Sequence, residues 1–286
     1  MPLSPRSMLF VSGERADRFD KAMATGADLV CIDLEDAVAA ARKADARQAA
    51  MAYALERRRA GTAGPALALR INGLSTLEGL RDIQALAGSG ADLDVLLLPK
   101  VESPHELQWV HRWLPTEFRA LVALIETPLG IEQAHAIGSA VREGAPRLSA
   151  LMLGGADLSM ELGARFEWDS LAGARARLVN AAKACALQAW DVPFVHVADL
   201  RGLQDETRRA IAMGFDCKSA IHPTQVAPIH EAVAPRPDEI TWAQGVIDGL
   251  DAHQRRTGGA GAFLHEGKMV DAPLIRRAQQ VLQRAE

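Results

Sequence analysis

Short apolar runs alternate along the chain with longer segments of helical periodicity. Most of the apolar runs are continuous, which is typical of strands covered on both faces of a parallel sheet. The predicted strands are Met8–Val11, Leu29–Asp33, Ala66–Ile71, Val95–Leu98, Leu121–Glu126, Ala150–Leu153, Phe194–Val197 and Cys217–Ile221. The predicted helices are Ala16–Thr25, Ala37–Arg59, Thr76–Ala87, Pro104–Trp113, Leu129–Arg142, Ser170–Ala189, Leu200–Met213 and Thr224–Ala232. This eightfold alternation predicts an α/β fold of the (β/α)8 TIM-barrel type, and a doubly wound open sheet is the alternative.

The pattern changes after residue 233, where Pro235 and Pro237 end the last barrel helix. The remaining residues predict an amphipathic helix from Asp238 to about Gln254, a short hairpin over Phe263–Val270 and a final helix over Pro273–Arg284. We therefore predict a barrel over residues 1–233 and a C-terminal helical extension over residues 234–286. Such an extension often packs on a neighbouring subunit or closes an active site, and a simple packed tail is the alternative.

Composition excludes several classes of protein. The chain is 49% hydrophobic and 24% charged, with a net charge of -4, so no basic field favours nucleic acid. We see neither the apolar core of a signal peptide nor a membrane-spanning run. Three cysteines are too few, and odd in number, for a disulfide framework, so we expect reduced thiols in the cytoplasm.

Polar residues concentrate where the predicted strands end, which is where barrel enzymes carry their active groups. Glu126 and Asp157 follow the fifth and sixth strands. A carboxylate there is costly unless it is paired, and two of them could share one Mg²⁺ ion. The alternative is that both cap the helices that follow. Arg70 ends the third strand and could hold a substrate carboxylate through two parallel hydrogen bonds, or form a structural salt bridge.

Three further charged residues lie at the same predicted end of the barrel, where the strands end, which we call the mouth. Glu35 and Asp36 follow the second strand and could accept hydrogen bonds from metal-bound water or bind substrate, or they could cap a helix before Ala37. Lys100 follows a proline at the end of the fourth strand, and it could bind substrate or pair with Glu102 or Asp33. We do not expect an imine at Lys100, because neighbouring acids would raise its pKa rather than lower it.

Nine short motifs resemble, in order and through nearly the whole chain, the citrate lyase β-subunit-like branch of the HpcH/HpaI aldolase superfamily. They are Arg6–Gly13, Asp33–Val38, Lys43 with Ala46-Arg47, Leu69–Asn72, Leu98–Glu102, Leu124–Thr127, Gly154–Leu158, Lys218–Pro223 with Gln225, and Gly267–Pro273. Four positions depart from the family pattern and leave the subfamily open: Ser12, Ala156, His230 and Arg236.

The resemblance implies a barrel, assembled as a homotrimer or hexamer, that makes or breaks a carbon–carbon bond beside a 2-oxo acid. It implies Mg²⁺ on Glu126 and Asp157 and places Arg70 on the substrate oxygens. In members that use coenzyme A, the residue matching Asp271 comes from the adjacent subunit and acts as acid and base. Basic residues expected near the barrel mouth are assigned to coenzyme A phosphates: Arg6, Lys43 and Arg47.

The leading hypothesis is a Mg²⁺-dependent lyase that cleaves a 3-hydroxy-3-carboxyl acyl-CoA thioester, such as citramalyl-CoA or malyl-CoA, to a 2-oxo acid and acetyl-CoA. One alternative is an aldolase for free 2-oxo acids, and a thioesterase step after cleavage or condensation is a variant. Another alternative is a citrate lyase β subunit that needs an acyl-carrier partner. A non-enzymatic binding module is the remaining one.

Overall fold

The computed structural model describes residues 4–61, 64–257 and 261–285. Eight parallel strands close into a barrel in chain order, with the first strand paired to both the second and the eighth. The strands are β1 (Ser7–Ser12), β2 (Leu29–Asp33), β3 (Ala66–Arg70), β4 (Leu93–Leu98), β5 (Phe118–Ile125), β6 (Leu148–Leu153), β7 (Gln188–Asp191) and β8 (Cys217–Ala220). The predicted (β/α)8 barrel is therefore confirmed.

Helices follow each strand and surround the barrel. They are α1 (Phe19–Met23), α2 (Lys43–Ala60), α3 (Leu77–Leu86), α4 (Pro104–Trp113), α5 (Pro128–Ser139), α6 (Gly155–Glu161), α7 (Trp168–Ala184), α8 (Leu200–Met213) and α9 (Val226–Val233). Short 3-10 turns lie at Ala16–Arg18, Ala40–Arg42, Ala140–Arg142 and Pro223–Gln225. The helix starts are well specified by sequence: Ser103 and Glu106 form a capping box before α4, and Thr127 caps α5.

The interior of the barrel is filled by alternate residues of the strands. This buried cluster contains Met8, Leu29, Cys31, Ala68, Val95, Leu97, Val122, Leu124, Ala150, Met152, Trp190 and Cys217. A packed interior leaves only the two ends of the barrel for chemistry, and the loops after the strands line the carboxyl end. Within the described ranges, no helix combines the length and apolar composition that a bilayer crossing requires.

The seventh strand lies six residues earlier than the sequence pattern indicates. Phe194–Val197 is not a strand, and the predicted helix over Ser170–Ala189 ends at Ala184, followed by Ala186 in the left-handed region (φ 57°). The true strand, Gln188–Asp191, lacks the continuous apolar run of the other strands because it carries a glutamine and an aspartate. Its buried carboxylate is stable only because cations from other elements reach it.

Residues from 231 onward form a second compact unit. It contains α10 (Pro237–Thr257), the antiparallel strands β9 (Phe263–His265) and β10 (Lys268–Val270), and α11 (Ala272–Ala285). Glu266 and Gly267 both have positive φ, at 49° and 74°, which gives the tight turn that suits a two-residue hairpin. Its own small core contains Ala243, Val246, Phe263, Val270 and Ala278.

Candidate active site

The two predicted metal ligands, Glu126 and Asp157, lie at the carboxyl ends of neighbouring strands, and Lys100 contacts both of them. Glu126 is the first residue after β5, and Asp157 lies in the first turn of α6. The backbone N–H of Lys100 donates to Glu126 Oε1 at 2.9 Å, and the Lys100 ammonium lies 3.7 Å from Asp157 Oδ1. One residue therefore contacts both carboxylates, which places them on the same side of the barrel mouth.

Arg70 is held firmly by Asp33, its neighbour in the register of β2 and β3. Arg70 Nε donates to Asp33 Oδ1 at 2.7 Å and Arg70 Nη2 donates to Asp33 Oδ2 at 2.6 Å, so this pair is bidentate. The other terminal nitrogen, Nη1, lies 3.0 Å from Glu35 Oε2 and 3.6 Å from Asp36 Oδ2. The guanidinium plane is thus fixed, and only the Nη1 side faces the remaining acids of the site.

Lys100 pairs with Glu35 rather than with Glu102 or Asp33, the partners that we expected. Its ammonium donates to Glu35 Oε1 at 3.0 Å and lies 3.9 Å from Asp36 Oδ1. The cause of the difference is backbone conformation, because Lys100 has a φ of 53° and the chain turns sharply after Pro99. This left-handed conformation is rare for a lysine.

Helix capping, the alternative for these acids, does not describe Glu126, Glu35 or Asp36. The cap of α5 is Thr127, whose Oγ1 accepts from Gly130 N at 3.0 Å, so Glu126 is free of that role. Glu35 and Asp36 do not cap a helix either, since α2 begins only at Lys43. Asp157 does lie in the first turn of α6, where the helix dipole favours a negative charge.

Gly154 makes room for the Glu126 side chain. A Cβ atom at this position would lie 2.4 Å from Glu126 Oε2 and 2.4 Å from Glu126 Cβ, distances that no real side chain could tolerate. The glycine is therefore required by the close approach of a carboxylate to the backbone at the start of α6. Gly154 and Asp33 both lie in motifs noted in the sequence, but these roles were not assigned to them there, although the β2–β3 register is the signal that pairs Asp33 with Arg70.

The site carries more negative than positive charge. Its carboxylates are Asp33, Glu35, Asp36, Glu126 and Asp157, and its cations are Arg70 and Lys100. Burial and the charge of Glu35 hold the pKa of Glu126 well above its ordinary value, although Arg70 and Lys100 oppose them. Burial also raises the pKa of Glu35, against the attraction of Arg70.

For Lys100 the neighbouring charges outweigh burial, whereas for Glu126 and Glu35 burial outweighs the neighbouring charges. Burial opposes the charge of Lys100, but the hydrogen bond that its ammonium donates to Glu35 and the charges of Glu35, Asp36 and Asp157 outweigh it, so the pKa of Lys100 is raised. That is the opposite of what an imine-forming lysine needs. The surplus of carboxylates is therefore the dominant electrostatic feature of the mouth.

The oxygen atoms present fit a hard divalent cation such as Mg²⁺. Glu35 Oε2 is buried and accepts no hydrogen bond of good geometry, although it is ion-paired with Arg70. Among the described residues no set of three His, Cys, Asp or Glu side chains is assembled as a complete ligand group. Mg²⁺ does not require one, because it commonly keeps several waters and takes only one or two protein carboxylates.

The structure does not bring Arg6 to this mouth. Arg6 precedes β1 and therefore lies at the amino-terminal end of the barrel, opposite the site. It pairs there with Asp28, with Nε 3.0 Å and Nη2 2.9 Å from the carboxylate oxygens. The expectation that Arg6 lies near the mouth and binds coenzyme A phosphates is wrong in position, because a strand start and a strand end are separated by the length of the barrel.

Lys43 and Arg47 are engaged with internal partners and not open to a phosphate. The Lys43 ammonium donates to the carbonyl oxygens of Leu34 and Glu35 at 2.7 and 2.6 Å, and to Asn72 Oδ1 at 2.7 Å. Arg47 Nε and Nη2 pair with Asp82 at 2.5 Å and Glu78 at 2.6 Å, respectively. Lys43 fixes the loop after β2 and Arg47 ties α2 to α3, so we withdraw their assignment to coenzyme A.

Asp271 belongs to the C-terminal unit and is exposed directly after the hairpin, at the start of α11. His196, within the segment predicted as the seventh strand, lies in the loop after β7 beside Phe194. His222 accepts from Thr224 N at 3.3 Å and so caps the turn after β8. Neither histidine takes part in the contacts of the carboxylate site described above.

Comparison with known proteins gives a consistent result. The family model described as HpcH/HpaI aldolase/citrate lyase matches residues 6–223. The human mitochondrial citramalyl-CoA lyase is 32% identical over 291 positions, which cover 97% of this chain and 84% of the human protein. The (3S)-malyl-CoA thioesterase of Cereibacter sphaeroides is 36% identical over 286 positions, covering 98% of this chain and 94% of that protein.

A solved structure is similar over its full length. It is the CitE protein of Mycobacterium tuberculosis in complex with magnesium, acetoacetate and coenzyme A. The two chains superpose with a TM-score of 0.81 at 33% identity, covering 99% of this chain and 98% of the other. The similarity therefore extends beyond the barrel to the C-terminal residues.

Proposed function

We propose, from the premise that this chain belongs to the HpcH/HpaI aldolase/citrate lyase family, that it is a Mg²⁺-dependent carbon–carbon lyase. Its substrate is a 3-hydroxy-3-carboxyl acyl-CoA thioester of the citramalyl-CoA or malyl-CoA type, and its products are a 2-oxo acid and acetyl-CoA. The observation that carries this proposal is the surplus of carboxylates, the buried Glu126 and Glu35 with the partly exposed Asp157, beside the fixed guanidinium of Arg70.

Glu126 and Asp157 are the residues that would hold the cation, with Glu35 and Asp36 close enough to accept hydrogen bonds from its waters. Bound Mg²⁺ supplies Lewis acidity and a template for the carboxylate and neighbouring oxygen of the 2-oxo acid half. Hard carboxylate oxygens are the ligands this ion prefers. The relatives that support the assignment include a structure solved with magnesium and coenzyme A.

Arg70 and Lys100 provide the positive charge on the protein side. During cleavage the substrate hydroxyl passes its proton to a carboxylate of the mouth as the bond to the thioester α-carbon breaks, and the charge changes on this oxygen, which becomes the ketone oxygen of the 2-oxo acid. Asp33 keeps the Arg70 guanidinium oriented, so its Nη1 edge donates without reorganisation. Lys100 is half-exposed, with 38% of its side chain accessible, and can reach a substrate carboxylate.

Asp271 is our candidate for the group that protonates the thioester enolate in cleavage and removes the methyl proton in condensation. Its exposure leaves it available to a site on another subunit. The hairpin beside it presents Leu264 and Met269, which are 75% and 70% exposed and directly opposite each other. An apolar pair of this kind supports docking of the tail on a second copy, in a homotrimer or hexamer.

The function can be tested with the purified chain, Mg²⁺ and a panel of citramalyl-CoA and malyl-CoA. We expect release of pyruvate or glyoxylate together with acetyl-CoA, and loss of both products in excess chelator. The variant that tests the metal site is Asp157→Asn, which keeps the shape and removes one charge. We expect it to lower turnover about 1,000-fold or more, because it removes a cation ligand, while the far-ultraviolet circular dichroism is unchanged.

Other outcomes of that assay would replace the proposal. Turnover of a free hydroxy acid as fast as its thioester would indicate an aldolase that does not use coenzyme A. Inactivity on thioesters, relieved by an acyl-carrier protein, would indicate a citrate lyase β subunit. Undiminished activity in chelator would refute the metal role. The similarity to a malyl-CoA thioesterase favours a second candidate, which would release free coenzyme A in addition to the acid.

Mixing two inactive variants tests the role of the tail. Arg70→Met and Asp271→Asn should each be nearly inactive, because one loses a substrate contact and the other the acid/base. If Asp271 serves a neighbouring subunit, unfolding and refolding the two together should restore roughly a quarter to a third of wild-type turnover. Each variant refolded alone is the control. Absence of any restoration would place Asp271 within its own subunit or outside the reaction.

The compartment is also part of the proposal. All three cysteines, Cys31, Cys185 and Cys217, are free and buried. This supports the reducing cytoplasm that we expected from the sequence.

A further inference from the structure

Lys100 has an unusual backbone conformation, at the centre of the acidic mouth. Its φ of 53° lies in the left-handed region, which a lysine adopts only when surrounding contacts impose it. Its own N–H donates to Glu126 Oε1 at 2.9 Å. The backbone is therefore tied to one carboxylate while the side chain extends toward others, so this one residue links several carboxylates of the site.

The ammonium is positioned by charge more than by hydrogen bonds. It lies 3.0 Å from Glu35 Oε1, 3.7 Å from Asp157 Oδ1 and 3.9 Å from Asp36 Oδ1. Only the first of these is a hydrogen bond. A cation among three carboxylates, with two contacts too long for hydrogen bonding, is held mainly by Coulomb attraction and is easily moved.

We propose that Lys100 is a resident counter-ion that neutralises the acidic site while no divalent cation is bound and releases Asp157 when one binds. This inference rests on the proposed Mg²⁺ site and extends it. Mg²⁺ and the ammonium compete for the same surplus of negative charge. The released ammonium, still fixed at its backbone, then becomes the donor for a carboxylate of the 2-oxo acid, so the cation binds before the acid.

The proposal predicts the sign of the change in Mg²⁺ affinity when the charge of Lys100 is removed. Lys100→Met removes a positive charge within 4 Å of Asp157, so the site becomes more negative and binds Mg²⁺ more tightly. Lys100→Arg retains the charge and should behave like the wild type. The alternative, in which Lys100 only maintains the shape of the site, predicts that Lys100→Met weakens Mg²⁺ binding, because Glu35 loses its hydrogen-bond partner.

Calorimetric titration of MgCl₂ into the substrate-free full chain distinguishes these cases. We expect Lys100→Met to bind Mg²⁺ about tenfold more tightly than wild type. Lys100→Arg and the exposed control Lys21→Met, which makes the same charge change on α1, should remain within about twofold. Unchanged or weaker binding by Lys100→Met would overturn the inference while leaving the metal site intact. A wild-type chain that binds no Mg²⁺ would overturn both.

Oxalate, a two-carboxylate probe of the 2-oxo acid site, tests the second half of the inference. In saturating Mg²⁺, the released ammonium should contribute to oxalate binding in wild type and not in Lys100→Met. We expect the variant to bind oxalate about tenfold more weakly, in spite of its tighter Mg²⁺. Equal oxalate affinity for the two proteins would show that the ammonium does not pass to the acid.

Discussion

The barrel contains two ionic clusters that differ in charge balance. On the outer face of the last strands, Asp191 of β7 and Lys218 of β8 meet Arg175 of α7 and Glu206 of α8. Here two cations face two carboxylates. Lys218 Nζ lies 2.6 Å from both Asp191 and Glu206, and Arg175 Nε lies 2.9 Å from Asp191. At the mouth, five carboxylates share two cations.

The pKa of the acids reflects this difference. Burial acts against the charge of Asp191, but Lys218 and Arg175 more than offset it, so its pKa is lowered. Burial raises the pKa of Glu126, and Arg70 and Lys100 do not offset it. A balanced cluster is complete in itself and serves the fold. A cluster with surplus negative charge is complete only with a further cation, which identifies the mouth as the functional site.

Removing Lys218 gives the largest effect on stability that the comparison predicts. Lys218→Met leaves the fully buried Asp191 with one cation, and we expect the free energy of unfolding to fall by about 3–5 kcal/mol. Urea denaturation measures the loss, and Glu206→Gln is a milder variant for the case in which Lys218→Met does not fold.

Variants of the two clusters should differ in which property they change, stability or Mg²⁺ affinity. Glu206→Gln should leave Mg²⁺ affinity unchanged, whereas Lys100→Met changes the affinity and costs much less stability, because its side chain is partly exposed. A Glu206→Gln variant with altered Mg²⁺ affinity would show that the two clusters are coupled, and the distinction between structural and functional cluster would fail.

Sequence reasoning identified most of the mouth because strand ends in a parallel barrel share one face. Glu126, Asp157, Arg70 and Lys100 lie together for that reason, and no three-dimensional information was needed to group them. The same rule would have excluded Arg6, which precedes its strand instead of following it. The error arose from treating a basic residue near a strand as a residue at the mouth.

Other features depend on contacts that are distant in sequence. The apolar alternation of Phe194–Val197 is stronger than that of Gln188–Asp191, yet the latter is the strand, because Asp191 finds Lys218 and Arg175. The partners of Lys43, from Leu34 to Asn72, likewise come from two separate loops. The partners of buried polar groups come from distant parts of the sequence, so a local sequence pattern does not predict them.

The smallest expected effect is a dependence of Mg²⁺ stabilisation on pH. Burial raises the pKa of Glu126 and of Glu35 above their ordinary value of 4.5 when no metal is bound. The folded state then disfavours their ionised forms, so this part of the stability is present at low pH and is lost as pH rises through the raised pKa values. Mg²⁺ favours the ionised carboxylates and should restore it.

We therefore expect MgCl₂ to raise the melting temperature more at about pH 8 than at about pH 5.5, by roughly 3 °C for each kcal/mol recovered in a chain of this size. Scanning calorimetry with MgCl₂ or with chelator at both values gives the difference. Equal ionic strength in NaCl controls for screening. Glu126→Gln should reduce the pH dependence of the Mg²⁺ effect, because the amide does not titrate. An equal gain at the two pH values would mean that Glu126 and Glu35 are ionised without the metal, and that the mouth is as balanced as the cluster around Asp191.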